Sequence, residues 1–166
     1  MHLIAQTNRL TIREFLPDEL ETYLDHVMDK KVSRYISKKT REERAVIFKN
    51  AIAKYSETKN YGIWGIFSND DNEFIGSCLL RPFENDPTIL ELGYTLEPKF
   101  WGKGLATEMV KTITDHGLAN TGVKEIVACT DIPNIASQRV LLKTGFKQEA
   151  NSFVYEIELA FFRLSR

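Results

Sequence analysis

Residues 8–15, Asn-Arg-Leu-Thr-Ile-Arg-Glu-Phe, set Leu10, Ile12 and Phe15 inward against Arg9, Thr11 and Arg13. That alternation predicts a strand. Pro17 then opens a helix with Asp18, Glu19 and Glu21 in its first turn and an apolar stripe of Leu20, Tyr23, Leu24 and Val27. Early acids and an N-terminal proline suit the positive end of a helix. A second helix is predicted over 40–58. Thr40-Arg-Glu-Glu43 has the capping-box form, and Val46, Ile47, Ala51, Ile52 and Tyr55 recur at helical spacing.

The period changes at Tyr61. Residues 61–68 and 74–83 read as a hairpin around Asn69-Asp-Asp-Asn72, and Asp86-Pro87 turns the chain into a third strand over 90–96. A helix over 102–119 carries Leu105, Met109, Ile113 and Gly117 four residues apart. A strand over 125–129 and a helix from Pro133 or Asn134 to Gly145 follow. Residues 146–150 and 153–161 close the chain as a hairpin turning at Asn151-Ser152. The order β-α-α-β-β-β-α-β-α-β-β describes a mixed, largely antiparallel α/β (α+β) sheet of about seven strands with helices on both faces. At 166 residues, without linker or repeat, the whole chain 1–166 reads as one domain.

Charge and cysteine content remove several classes. Twenty-two basic and 23 acidic side chains give a net charge of -1, which argues against a dedicated nucleic-acid binder. Two cysteines, Cys78 and Cys129, make no disulfide framework. No apolar run approaches the roughly 18 residues of a membrane span, and Met1–Arg9 lacks the pattern of a signal peptide, so a soluble cytoplasmic protein is expected. No His/Cys/Asp/Glu spacing points to a metal.

The segment Glu91–Val110 carries the chemistry. A strand enters a turn with Gly102 and Gly104, then an amphipathic helix. Free amides at a helix N-terminus, with little side-chain bulk over them, make an anion site for phosphate or pyrophosphate. No Walker loop occurs, and the dinucleotide Gly-x-Gly-x-x-Gly fails at Thr107. The preceding strand also ends an antiparallel meander, unlike a parallel dinucleotide-binding unit.

Residues 101–106, Trp-Gly-Lys-Gly-Leu-Ala, resemble the acetyl-coenzyme A signature Gln/Arg-x-x-Gly-x-Gly/Ala of the GNAT N-acetyltransferases, with Gly104 and Ala106 matching and Trp101 departing. Gly93-Tyr-x-Leu-x-Pro98, Ala106-Thr-Glu108, Arg9-Leu-Thr-Ile-Arg13 and Ile75-Gly-Ser77 look like the RimJ/RimL branch, which acetylates protein N-termini. The resemblance implies acetyl-coenzyme A as co-substrate, with no metal. Its pyrophosphate would rest on the amides of Trp101, Gly102, Lys103, Gly104, Leu105, Ala106 and Thr107. Its pantetheine arm would pair with the backbone of Tyr94, Thr95 and Leu96, where the family splays its strands.

Pro133–Phe146 is similar to the family's Asn-x-x-Ser segment ending in Gly-Phe. Asn134 then meets the pantetheine arm, although it also reads as an ordinary helix cap. Many family members place a general-acid tyrosine seven residues on, where this chain has Leu141. The RimL-like branch gives that role to the serine at Ser137, which otherwise reads as a helix serine bonded to a carbonyl. Glu91 lies opposite in phase to Leu90 and Leu92. It reads as a water-mediated base for the amine, or as an exposed glutamate on a twisted edge.

Arg139 is a candidate for the adenosine phosphates, with Lys143, Lys99 and Lys103 beside it; each also reads as solvated surface charge. The basic run Lys30–Arg41 would steer an acidic acceptor or simply be solvated. The expected activity is acetyl transfer to a primary amine, foremost a protein N-terminus. A small amine such as a polyamine, amino acid or antibiotic, a non-catalytic acyl-coenzyme A module and a nucleotide-binding regulator are the rivals. The aromatic final strands imply a homodimer.

Overall fold

The computed structural model describes residues 1–84 and 86–165. Its elements run β1 (Leu3–Gln6), β2 (Leu10–Arg13), α1 (Leu20–Met28), α2 (Arg41–Lys54), β3 (Gly62–Ser68), β4 (Phe74–Phe83), β5 (Asp86–Leu96), α3 (Leu105–Asn120), β6 (Glu125–Thr130), α4 (Ile135–Lys143), β7 (Lys147–Gln148), β8 (Ser152–Val154) and β9 (Ile157–Ser165). The described strands form one sheet in the order β1-β2-β3-β4-β5-β6-β9-β7, with β8 also on β9. Every neighbouring pair is antiparallel except β5 and β6.

Nine described strands replace the expected seven. β1 is too short to show a period, and it pairs with β2 around a turn in which Thr7 N–H donates to the Leu10 carbonyl at 2.8 Å. The final hairpin turns at Tyr155-Glu156, not at Asn151-Ser152. Both turn residues have positive φ, 52° and 65°, between the paired Val154 and Ile157. This is the two-residue reversal that matches strand twist, here built without the Asn-Gly that normally betrays it. Asp86 and Pro87 begin β5 instead of turning the chain; a proline is tolerated at the start of a strand.

The α2 cap is as the sequence implies: Glu43 N–H donates to Thr40 Oγ1 and Thr40 N–H to the Glu43 carboxylate. Its buried stripe differs. Phe48, with Ala45 and Ile52, packs against α1, whereas Val46 faces solvent. The stripe of α3 (Leu105, Met109, Ile113, Gly117) is fully buried.

Two apolar layers result. Even-numbered residues of β5 (Leu90, Leu92, Leu96) join Met109, Ile113 and Leu141 beneath α3 and α4. The opposite face holds two separate clusters. One lies under α1 and α2 around Phe15, Tyr23, Phe48 and Phe67, and the other under the β8–β9 hairpin around Val127, Val154 and Phe161.

Gly76 of β4 sets how closely β4 meets the end of β5. A Cβ there would overlap the Thr95 carbonyl oxygen and lie 2.8 Å from Leu96 Cα. Both obstacles are backbone and cannot swing aside. Gly76→Ala is expected to lower stability by at least about 2 kcal/mol, as core overpacking does, in a urea titration.

Candidate active site

Pairing between the parallel strands β5 and β6 runs through Ile89/Glu125, Leu90/Ile126 and Glu91/Val127 and ends there. β5 continues to Leu96 and β6 to Thr130 as two diverging arms. The V between them opens toward the loop 98–104 and the start of α4.

The loop is shaped for close approach. Gly102 and Gly104 sit at φ +74° and +77°, which favour glycine. Open space surrounds the position of a Gly102 Cβ. Gly104 is the N-cap of the 16-residue helix α3 and has no side chain to cover the amides of Leu105, Ala106 and Thr107. These features fit a diphosphate. Leu105 contributes only backbone, because its side chain is buried in the core. The Trp101 indole N–H donates to the Leu96 carbonyl at 2.8 Å, so that carbonyl already has a partner within the chain. Lys103 holds its ammonium 5.3 Å from the Phe100 ring centre. Lys99 is paired with Glu73. Arg139 and Lys143 are exposed on α4.

On the α4 side of the V, the Tyr94 hydroxyl lies 3.1 Å from Ser137 Oγ. Asn134 caps α4 by accepting from the Ser137 amide at 3.4 Å, and its side-chain N–H donates to Thr130 Oγ1 at 2.9 Å. One proton of the Asn134 amide nitrogen is left over after that bond. Burial raises the Tyr94 pKa, while the Ser137 hydrogen bond pulls it back. The pair therefore presents two neutral hydroxyls. Leu141, where a tyrosine acid would stand, is 1% exposed in the core.

Odd-numbered residues of β5 face the other way. Glu91 is buried, at 7% exposure, in a central strand, which excludes an exposed edge glutamate. Its Oε2 accepts from Arg81 Nε at 2.8 Å and from the Tyr155 hydroxyl at 2.5 Å. Arg81 also donates to Tyr155 at 3.1 Å. Burial and the Glu91 hydrogen bond push Tyr155 up to about 12, so it remains a donor. Four residues on, Thr95 Oγ1 stands 2.8 Å from His26 Nε2 and 3.2 Å from Ser77 Oγ. His26 Nδ1 lies 2.7 Å from Glu97 Oε1. A carboxylate only accepts, so Nδ1 carries the proton and Thr95 donates to Nε2. This polar row separates the two apolar clusters of that face.

The residues 9–147 match the model of the acetyltransferase (GNAT) domain. The chain belongs to that family. An uncharacterized N-acetyltransferase, YoaA of Bacillus subtilis, is 29% identical over 151 residues, covering 90% of this chain and 85% of its own. Among solved structures, a Salmonella typhimurium acetyltransferase that modifies the N-terminal serine of ribosomal protein L7/L12 superposes with a TM-score of 0.83. It is 17% identical and covers 99% of both chains. An aminoglycoside acetyltransferase in complex with coenzyme A gives 0.81 at 15% identity, covering 95% of each. The GNAT fold is thus shared with enzymes of different acceptors.

Sequence reading singled out neither His26, Arg81 nor Tyr155. His26 follows Tyr23 by three positions on the buried stripe of α1, a spacing that could have flagged it. Tyr155 was hidden by the misplaced turn. Among the described residues, no cluster of three or more His, Cys, Asp or Glu could hold a metal ion, and no helix is long and apolar enough to cross a membrane. The basic run is partly neutralised: Arg41 bridges Glu21 and Asp25 of α1 at 2.6 and 3.0 Å.

Burial holds His26 below its ordinary 6.5, with Glu97 only partly restoring it. The unfolded chain then binds the extra proton, so stability is full above about pH 6.5 and falls as the pH drops below it. His26→Asn should remove that component. The wild-type advantage in urea unfolding is expected to be larger at pH 7 than at pH 5; an equal gap at both would refute it.

Proposed function

We propose that the protein transfers the acetyl group of acetyl-coenzyme A to a primary amine, foremost a protein N-terminal α-amine, in the manner of the RimJ/RimL branch. The observation that carries this reading is the combination of the β5/β6 V with a glycine loop of positive φ opening onto uncovered α3 amides. When bound, acetyl-coenzyme A supplies a thioester as acyl donor. The amides of residues 102–107 hold its diphosphate, the Trp101 amide being already donated to the Pro98 carbonyl at 3.2 Å; the β5 arm from Tyr94 to Leu96 and Asn134 hold its pantetheine arm, and Arg139 meets its outer phosphate.

Glu91 and Ser137 act on opposite faces of β5. A protein α-amine, with a pKa near 8, is largely protonated at neutral pH and must lose a proton before it attacks. Glu91 takes that proton through water; Arg81 and Tyr155 hold its carboxylate in place. The C–S bond breaks as the N–C bond forms; Ser137, with the Tyr94 hydroxyl behind it, delivers a proton to the departing sulfur, and the second proton that the nitrogen sheds on becoming an amide returns through water to Ser137. The amine approaches along the polar row between the two apolar clusters. The aminoglycoside enzyme's equally close fold supports a small amine as the second reading. The expected setting is the cytoplasm.

Thiol release from acetyl-coenzyme A, followed over a panel of peptides with free N-termini, amino acids, polyamines and aminoglycosides, tests the activity and separates the acceptors. Binding without turnover on every amine would make the chain a non-catalytic module. Glu91→Gln should lower kcat/KM by about 10²-fold near neutral pH, with partial recovery as alkaline pH deprotonates the amine. Ser137→Ala and Tyr94→Phe should lower kcat with little pH dependence. If Glu91→Gln and Ser137→Ala both stay within about threefold of wild type, well short of usual acid–base contributions, catalysis rests on positioning alone.

Two copies are proposed to associate through the β8–β9 hairpin, where Phe153 and Ile157 are 75% and 51% exposed. Light scattering at micromolar concentration should give a dimer mass for the wild type and a monomer for Phe153→Lys.

A further inference from the structure

Behind the glycine loop, five polar contacts gather on a residue outside it. Arg9 stands in the turn between β1 and β2, where its carbonyl accepts from the Asn69 amide at 3.0 Å and its own amide donates to Thr7 Oγ1 at 3.2 Å. Its Nε and Nη2 reach Glu108 Oε2 at 2.7 and 2.5 Å. Its Nη1 donates to the Lys103 carbonyl at 2.9 Å. Thr7 Oγ1 donates to the other Glu108 oxygen at 2.5 Å. One guanidinium thus joins the first hairpin, the first turn of α3 and the middle of the loop.

The Lys103 carbonyl and the Gly104 N–H belong to one planar trans peptide, so they point in opposite directions. Holding the carbonyl toward Arg9 aims the Gly104 N–H away from it, and the cationic donor polarises that peptide, strengthening the N–H as a donor. Glu108 raises a second matter. Its carboxylate sits in the first turn of α3, at the end that an anionic ligand would share, where an uncompensated negative charge repels.

We propose that Arg9 is a positioning residue for the coenzyme A diphosphate: it orients the Gly104 amide through the Lys103 carbonyl and cancels the Glu108 charge beside it. The inference rests on the coenzyme A reading above. Arginine is required for this because its fork reaches both partners at once, whereas a lysine ammonium is one point of charge.

Calorimetric titrations of coenzyme A and of pantetheine, which lacks the phosphates, into wild type, Arg9→Ala, Arg9→Lys and Arg9→Ala/Glu108→Gln test it. Arg9→Ala should weaken coenzyme A by at least about tenfold, the equivalent of one charge-assisted hydrogen bond, and leave pantetheine within about twofold. Arg9→Lys should lie between the two. Adding Glu108→Gln to Arg9→Ala should recover only the part due to repulsion. The Gly104 amide cross-peak of the free protein should move in Arg9→Ala and Arg9→Lys, reporting the turned peptide without any ligand. Coenzyme A binding within about twofold of wild type in Arg9→Ala, or an equal loss for pantetheine, overturns the inference. Failure of the wild type itself to bind coenzyme A overturns the reading on which it rests.

Discussion

The break in pairing after Glu91 and Val127 is the constraint on which the rest of the site depends. Backbone groups of a central strand that lose their ladder must find other partners, since a buried unpaired amide or carbonyl costs the full desolvation of that group. The chain answers part of this demand itself. Trp101 takes the Leu96 carbonyl, while the side-chain bonds of Tyr94 to Ser137 and of Asn134 to Thr130 tie α4 to the two arms and leave their other backbone groups to be met. What remains between the arms is a slot that extended, amide-bearing chemistry such as pantetheine can complete. The V stays open because each arm is held from outside: β5 by β4, along a register kept close by Gly76, and β6 by β9.

The two faces of β5 carry different electrostatics for a structural reason. Even positions are apolar because α3 and α4 cover them. The odd positions Glu91 and Thr95 lie between the two apolar clusters of the other face, and what meets them there is polar: Arg81 and Tyr155 at Glu91, and His26 of α1 at Thr95. Polar groups in such a gap must satisfy one another. Glu91 does so with Arg81 and Tyr155, and Thr95 with Ser77, His26 and Glu97. Each chain of donors ends on a carboxylate, so each is directional. The first lies at the root of the V and the second near its open end.

Strong periodicity made most of the frame legible. The stripe of α3, the capping box of α2 and the β3–β4–β5 meander follow from spacing that tertiary packing had no reason to overrule. The glycine loop was legible because positive φ leaves a compositional mark. The misses share a cause. β1 and β8 are four and three residues long, too short for a period. The Tyr155-Glu156 turn adopts positive φ with residues that do not advertise it, and its tyrosine is held in place by Glu91 sixty-four positions earlier. In α2, Val46 fits an apolar stripe in projection but lies outside, because Phe48 fills the space against Phe15 and Tyr23. Long-range hydrogen bonds such as Arg9 to Lys103 leave no local trace at all.

Helix α4 shows how one face can serve two demands. Asn134, Ser137 and Leu141 follow at three and four residues and so share a side of the helix. The first two stand at the mouth of the V, where β5 and β6 have parted and polar groups have room and partners. Leu141 lies a turn deeper, over the closed part of the sheet, and packs into the core. A hydroxyl at 141 would need a partner there or incur the cost of a buried unpaired donor. Tyr94 brings its hydroxyl instead from the strand side: its ring packs against the same core and its hydroxyl ends beside Ser137. With leucine at 141, the hydroxyls left at the mouth of the V are those of Ser137 from α4 and Tyr94 from β5, the pair to which the proposed function gives the proton for the sulfur.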